Sequence, residues 1–236
     1  MSVMLSLIMP LKVGVVIPTL NEEKNLPKIL DGIVELGIKD ILVIDGKSKD
    51  GTVAVAKNYG VKIVSQDGTG KGDAIVQVFN NGYLPVDAVV MLDADGSMIP
   101  SEIPSFIEKL ENGYDVVKGS RFLKNGYSED MSTFRKIGNF FFLFLVRFLW
   151  NADYTDLCYG FAVFNKDSVR RLAPTLKSKN FEIETEVFIK AQKLGLSVAE
   201  IPSVELKRVH GKSNLRAFVD GFRILRMIIF EILHSD

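Results

Sequence analysis

Short, dense apolar runs alternate along this chain with longer stretches in which apolar residues recur every three or four positions. The runs at 12–18, 40–45, 61–65, 87–93 and 115–120 are bounded by Gly, Pro, Asn or Asp and show no polar alternation. That pattern predicts strands buried on both faces. Helical periodicity fills the intervals. It runs over 24–36 to Gly37, over 50–58 from an Asp50 cap to Gly60, within GTGKGDAIVQVFNNG (68–82), and over 101–112 behind a Ser101 cap. Regular alternation of this kind predicts an α/β fold, a mostly parallel sheet flanked by helices.

After Arg121 the rhythm breaks. A polar loop (124–131) precedes the densest apolar run, FFFLFLVRFLW at 140–150. Further on, 159–164 reads as a strand, 181–195 as a helix stopped by glycine, and 197–203 as a strand. Residues 214–234 read as a long helix, with Leu215, Phe218, Val219, Phe222, Leu225, Ile229, Ile232 and Leu233 forming one apolar stripe. The expected organisation is a single catalytic domain over 1–212 and a C-terminal amphipathic helix over 213–236. As helix, the eleven residues 140–150 reach about 16 Å against about 30 Å of hydrocarbon, so no transmembrane span is expected. The apolar start, MSVMLSLIMP, carries no basic residue before Lys12 and reads as a lead-in to the first strand, not a signal or anchor.

Composition adds limits. Twenty-nine basic residues balance 29 acidic ones, so no overall charge points to nucleic acid. The single cysteine, Cys158, excludes an internal disulfide and fits a reducing, cytoplasmic compartment.

The chemistry gathers where strands end. In an open parallel sheet, ligands bind outside the carboxyl ends of the strands. Here strand one ends at Asn21, Glu22 and Glu23, strand two at Asp45, and strand four at Asp93 and Asp95. An Asp-x-Asp is common by chance, and Asp95-Gly96 reads equally as a turn. Acidic ends on neighbouring strands make the difference, because their mutual repulsion calls for a hard divalent cation with oxygen ligands. Such an ion keeps positions open for substrate phosphates, so a diphosphate ligand is expected with it.

Eight segments in order carry a family resemblance: PTLNE (18–22), DGKSKDGT (45–52), GTGKGDA (68–74), DADGSMIP (93–100), KGSRF (118–122), TDLCYGF (155–161), FEIETE (181–186) and RVHGKSN (208–214). The chain resembles the family 2 inverting glycosyltransferases of the GT-A fold, and within them the polyprenyl-phosphate sugar synthases, such as dolichyl-phosphate mannose or glucose synthases. The resemblance implies a Rossmann-like sheet and transfer of a sugar from a nucleotide-diphosphate sugar to dolichyl or polyprenyl phosphate. It implies Mg or Mn on Asp93 and Asp95. Pro18, Thr19, Glu22, Asp45, Lys71, Asp93 and Ala94 would line the nucleotide site. Asp95, Asp156 and Arg121 would stand at the reacting centre, with Asp156 orienting the acceptor or serving as base. Gly46 stands where the family usually has a second aspartate, and Leu20 where an aromatic is common, so the base and sugar stay open between GDP-mannose and UDP-glucose.

A phosphate acceptor needs no general base, since its second pKa near 6 leaves it largely dianionic at neutral pH. It needs cations. Arg121, Arg208 and Lys212 lie in the resembling segments and Arg135 between two of them, and these four are expected to hold the phosphate; residues 207–226 hold six basic residues against one acid, Asp220. An apolar helix at 140–150 beside this basic terminal helix suits the headgroup region of an anionic membrane, or a membrane-anchoring partner. The expected location is the cytoplasmic face of a membrane. A core helix or subunit interface is the alternative for that run. Glu184 and Glu186 point apart on a helix, so only one is expected to face a site. Transfer to a glycan or small hydroxyl acceptor, and a non-catalytic nucleotide-sugar-binding subunit, remain as rival readings. A hydride-transfer enzyme fails because no GxGxxG follows strand one, and a nucleotidyltransferase is disfavoured because no glycine-rich, basic phosphate loop follows that strand, which opens into an acidic IPTLNEE.

Overall fold

A computed structural model describes residues 11–211 and 213–234. The lead-in over 1–10 and Lys212 lie outside the described residues. The elements in order are β1 (Val13–Thr19), α1 (Leu26–Glu35), β2 (Asp40–Asp45), α2 (Thr52–Asn58), β3 (Lys62–Ser65), α3 (Lys71–Asn81), β4 (Ala88–Met91), α4 (Ile103–Glu111), β5 (Val116–Ser120), β6 (Tyr127–Ser128), α5 (Thr133–Trp150), β7 (Ala162–Asn165), α6 (Lys166–Leu172), α7 (Ile183–Lys193), β8 (Val198–Pro202), β9 (Val204–Glu205) and α8 (Ala217–Leu233).

Seven strands form one sheet in the order β3-β2-β1-β4-β7-β5-β8. The expected α/β architecture with a mostly parallel sheet is present. Its one irregularity is β7, which runs antiparallel between β4 and β5. The continuous apolar runs are explained by the two cores. On β1 and β2, Val16, Leu42 and Ile44 enter the core beneath α3, α5, α7 and α8. Their neighbours Val15, Ile17, Ile41 and Val43 enter the other core, against α1 and α4. Both faces are covered, so the interior positions of these strands are apolar and polar residues come only at their ends.

Several local expectations are corrected. Ser101 lies in a 3₁₀ turn (Pro100–Glu102) and caps nothing; α4 begins behind Glu102. Asp50 lies one residue outside the cap, which is Gly51, and accepts from the Thr52 N–H at 3.0 Å. Ser132, not foreseen, caps α5 by accepting from the Arg135 backbone N–H. The helix α6 was also not foreseen: Asn165 caps it by accepting from Ser168 N–H, but its seven residues are too few for the pattern to declare itself.

The apolar run at 140–150 is the second half of the 18-residue helix α5, which carries Arg135, Lys136 and Arg147. No helix among the described residues is long and apolar enough to cross a membrane. The terminal helix α8 buries Asp220, Ile224, Met227, Ile228 and Glu231, contributing to the same core as α5 and α7. Lys190 and Lys193 pair with the buried Glu231 at 2.8 and 3.0 Å. Most of the stripe read from the sequence therefore lies on the opposite side, with Leu225 packed against the core. Phe218, Phe222 and Leu233 are 79%, 69% and 75% exposed, and Val219, Ile229 and Ile232 are also exposed.

Candidate active site

A cavity of about 320 Å³ opens at the carboxyl ends of β1, β2 and β4. Pro18, Thr19, Leu20 and Glu22 come from the end of β1, and Gly46 from the end of β2. Gln66, Thr69, Gly70 and Lys71 come from the turn between β3 and α3, and Asp93, Ala94 and Asp95 follow β4. The far wall comes from Cys158–Gly160, Asn180, Phe181 and Glu184, and then from Glu205, Arg208, Ser213–Arg216, Asp220 and Arg223.

The β1 and β2 ends are locked to each other. Thr19 O accepts from Gly46 N–H at 2.8 Å, Glu22 N–H donates to Thr52 Oγ1 at 2.8 Å, and Asn21 Oδ1 accepts from Lys49 N–H at 2.8 Å. Asn21 and Lys47 hold positive φ of 57° and 66°, so two non-glycine residues keep the left-handed conformation at this rim. Asp45 is buried, and its Oδ2 accepts from Ser48 N–H at 3.1 Å. Its Oδ1 has no partner among the described residues. A buried acceptor without a donor is costly alone and suits a ligand N–H or O–H.

The start of α3 is set by close backbone approach. A Cβ on Gly70 or Gly72 would strike the carbonyl oxygens of Lys179 or Ser178, and Asp73 N–H donates to Lys179 O at 3.1 Å. This docking fixes Lys71 in the cavity. Its ammonium lies 2.6 Å from Asp93 Oδ1 and 2.5 Å from Glu184 Oε1. Burial disfavours that charge, but the two carboxylates outweigh it and raise the Lys71 pKa above its usual range. Glu184 is a site residue that the sequence barely signalled. Glu186 turns away and accepts from the Lys177 and Ser178 N–H groups, as i and i+2 must on a helix.

The two acidic residues after β4 differ. Burial pushes the Asp93 carboxyl up to about 6; Lys71 opposes the rise, while Glu184 and Asp95 add to it. Burial also works against Asp95, but hydrogen bonds from Ser97 N and Oγ at 3.0 and 2.6 Å, then Arg208, hold it below its usual value. Arg208 bridges Asp95 Oδ2 at 2.8 Å and Glu22 Oε1 at 2.9 Å. Among the described residues no group of three or more His, Cys, Asp or Glu is arranged to hold a metal. Asp93 and Asp95 give a two-carboxylate, all-oxygen donor set, already balanced by Lys71 and Arg208. That set fits a hard divalent ion whose remaining positions go to water and a diphosphate.

The structure thus brings Pro18, Thr19, Glu22, Lys71, Asp93, Ala94, Asp95 and Arg208 to one cavity, with Asp45 buried at the end of β2 beside Gly46. It keeps Arg121 and Asp156 behind the wall. Arg121 Nε lies 2.7 Å from Asp156 Oδ2, and its two terminal nitrogens reach Asp156 Oδ1 at 2.9 Å, Glu205 at 3.1 Å and Cys158 O at 2.8 Å. The guanidinium stacks on Tyr159 at 4.5 Å. Asp156 is fully buried; burial opposes its charge, but Arg121 overrides this and holds the carboxyl below the ordinary 3.8. Arg135 is also outside the cavity wall and faces Asp130 at 3.4 Å.

A mostly parallel α/β sheet broken by one antiparallel strand thus gathers paired aspartates after β4 and a buried, unpartnered acceptor at the end of β2. The chain belongs to glycosyl transferase family 2, whose sequence model matches residues 14–173. Glycosyltransferase AglJ of Haloferax volcanii is 31% identical over 215 residues, covering 90% of this chain and 69% of that protein. A dolichyl-phosphate hexose transferase of the same organism is 28% identical, covering 92% of each. Among solved structures, glucosyl-3-phosphoglycerate synthase from Mycobacterium tuberculosis, in complex with Mn2+, UDP and phosphoglyceric acid, superposes with a TM-score of 0.72 at 20% identity. The match covers 95% of this chain and 78% of that one.

Proposed function

We propose that this enzyme transfers one sugar, by single displacement with inversion, from a nucleoside-diphosphate sugar such as GDP-mannose or UDP-glucose to a polyprenyl phosphate of the dolichyl type. It works at the cytoplasmic surface of a membrane. The observation that carries the acceptor class is the continuity of the cavity with an apolar face. Leu215, Arg216 and Arg223 line the cavity. On α8, which carries Arg223, Phe218 and Phe222 stand exposed, and the Phe218 ring meets Phe134 of α5 at 4.6 Å. From there α5 presents Ile137, Phe141, Phe144 and Phe148, an exposed i, i+4, i+7, i+11 stripe. A basic pocket mouth beside exposed aromatics suits a phosphate on a lipid tail. The similarity to a dolichyl-phosphate hexose transferase supports the same acceptor.

In this reading, Pro18, Thr19, Glu22 and Asp45 hold the nucleoside, and Asp45 Oδ1 takes a donor from it. Asp93 and Asp95 hold Mg or Mn, which neutralises charge on the departing diphosphate when bound. Lys71 adds a fixed positive charge beside the same oxygens. The acceptor phosphate attacks without a base, which agrees with the state of Asp156: a low-pKa carboxylate with both oxygens engaged is a poor proton acceptor. Arg208, Arg216 and Arg223 face the cavity and hold the phosphate. Arg121 positions the wall through Asp156 and Glu205. Of the other two residues expected for the acceptor, Arg135 is paired with Asp130 outside the cavity wall and Lys212 lies outside the described residues.

The test is transfer of labelled sugar from each donor, with Mn2+, into lipid phosphate in vesicles. Label should become extractable into organic solvent, and D95A should abolish this while leaving the melting temperature unchanged. Transfer only into water-soluble hydroxyl compounds would overturn the lipid acceptor. Tight donor binding without turnover on any acceptor would favour a binding subunit.

A further inference from the structure

Arg208 occupies an unusual place. It closes a bridge between the acidic end of β1 and the Asp95 carboxylate, the pair proposed for nucleoside and cation. Both oxygens of Asp95 are thereby taken: Oδ1 by Ser97, and Oδ2 by the guanidinium at 2.8 Å. The other arm rests on Glu22 at 2.9 Å. The backbone carrying it is anchored on either side, by Leu206 N–H on Ser97 O at 2.8 Å, by Lys207 N–H on Glu129 Oε2 at 3.3 Å and by Asn25 Nδ2 on His210 O at 3.1 Å, so the side chain is the part free to exchange partners. Within 207–211 only Arg208 turns inward; Lys207, Val209, His210 and Gly211 are exposed.

We propose that Arg208 is a positioning residue that exchanges Asp95 for the acceptor phosphate when a divalent cation binds, so that the acceptor site is completed only after the donor site is filled. This rests on the donor and cation reading above. A divalent ion and a guanidinium on one carboxylate oxygen would stand only about 4 Å apart and repel each other strongly, because both are cations in a partly desolvated site. Asp95 would hold the ion of greater charge in preference to the guanidinium. Lys71 meets the same competition at Asp93, but keeps Glu184 at 2.5 Å. Arg208 keeps only Glu22, which stays as its pivot. The arm leaving Asp95 then turns within the cavity that Arg216 and Arg223 also line. A planar fork with two separable arms can make this exchange, and a lysine, with one charge centre, cannot hold both ends.

The experiment measures Mn2+ affinity by titration calorimetry, without nucleotide, for wild type, R208A, R208K and K28A. Lys28 donates to Gly96 O at 3.2 Å, so it places a similar charge near the same loop without engaging a carboxylate. R208A should bind Mn2+ about tenfold more tightly than wild type, the scale of one charge-assisted hydrogen bond lost by the competing state. K28A should change affinity less than threefold, and R208K should fall between. A second titration uses geranyl phosphate, a soluble phosphomonoester. Wild type and R208A should bind it equally without cation, and wild type at least fivefold better once Mn2+ and nucleoside diphosphate are present. Unchanged or weaker Mn2+ binding in R208A overturns the exchange, as does a K28A effect equal to that of R208A. Failure of wild type to bind Mn2+ even with nucleotide would instead overturn the donor-site reading.

Discussion

Replacing Asp156 separates a catalytic group from a structural one. The carboxylate is fully buried and grips Arg121 through two arms at 2.7 and 2.9 Å. Arg121 is 2% exposed at its side chain, so removing Asp156 strands a charge that only Glu205 at 3.1 Å still balances. Losing one partner of a buried pair costs about 3–5 kcal/mol. For a domain of this size each kcal/mol lowers Tm by about 2–4 °C, so D156A should melt about 6–20 °C lower. R121A should cost a similar amount, and the double variant less than the two together, because the second removal no longer leaves an orphan. Urea unfolding monitored by circular dichroism gives the cycle. The folded pKa lies below the unfolded one, so the contribution is complete at neutral pH. It is lost as pH falls through the depressed folded value, below 3.8. A D156A variant melting within 2 °C of wild type yet inactive would refute this reasoning and make Asp156 a group that acts on substrate.

Mn2+ binding should weaken as pH drops through about 6, because Asp93 is raised to that value and a proton then competes for its oxygens. Calorimetry near pH 6 in buffers of different ionisation enthalpy should show proton release; none would count against Asp93 as a ligand. F148E and F222E, at side chains 78% and 69% exposed, should each lower binding to anionic vesicles about tenfold or more with Tm unchanged. Equal vesicle binding would remove α5 and α8 from the membrane contact. G72A should destabilise by about 1–3 kcal/mol and weaken nucleotide binding, since its methyl group would strike Ser178 O and push Lys71 away from Asp93; a wild-type donor affinity would show that this docking is dispensable.

The strand–helix alternation through β5 was legible because each strand is buried on both faces, and only an unbroken apolar run satisfies that. The acidic rim was legible for a related reason: carboxylates directly after such runs must sit at the strand ends, where a parallel sheet collects its ligands. Periodicity carries no strand direction, and so could not show that β7 enters antiparallel between β4 and β5. Nor could it orient α8. That helix is apolar on two sides, and its core side includes Asp220 and Glu231, whose charges are met by Arg223 and by two lysines of α7.

The sequence by itself determined the layered sheet, its family and the identity of the acidic pair, because these follow from local patterns and short ordered motifs. Only the tertiary structure decided which cation meets which carboxylate. Lys71 reaches Glu184 across 113 positions and Arg208 reaches Glu22 across 186, while Arg121 is spent on Asp156 behind the cavity wall. Charge pairing depends on distances of a few ångströms in a desolvated space, and those are set by packing that no local pattern encodes.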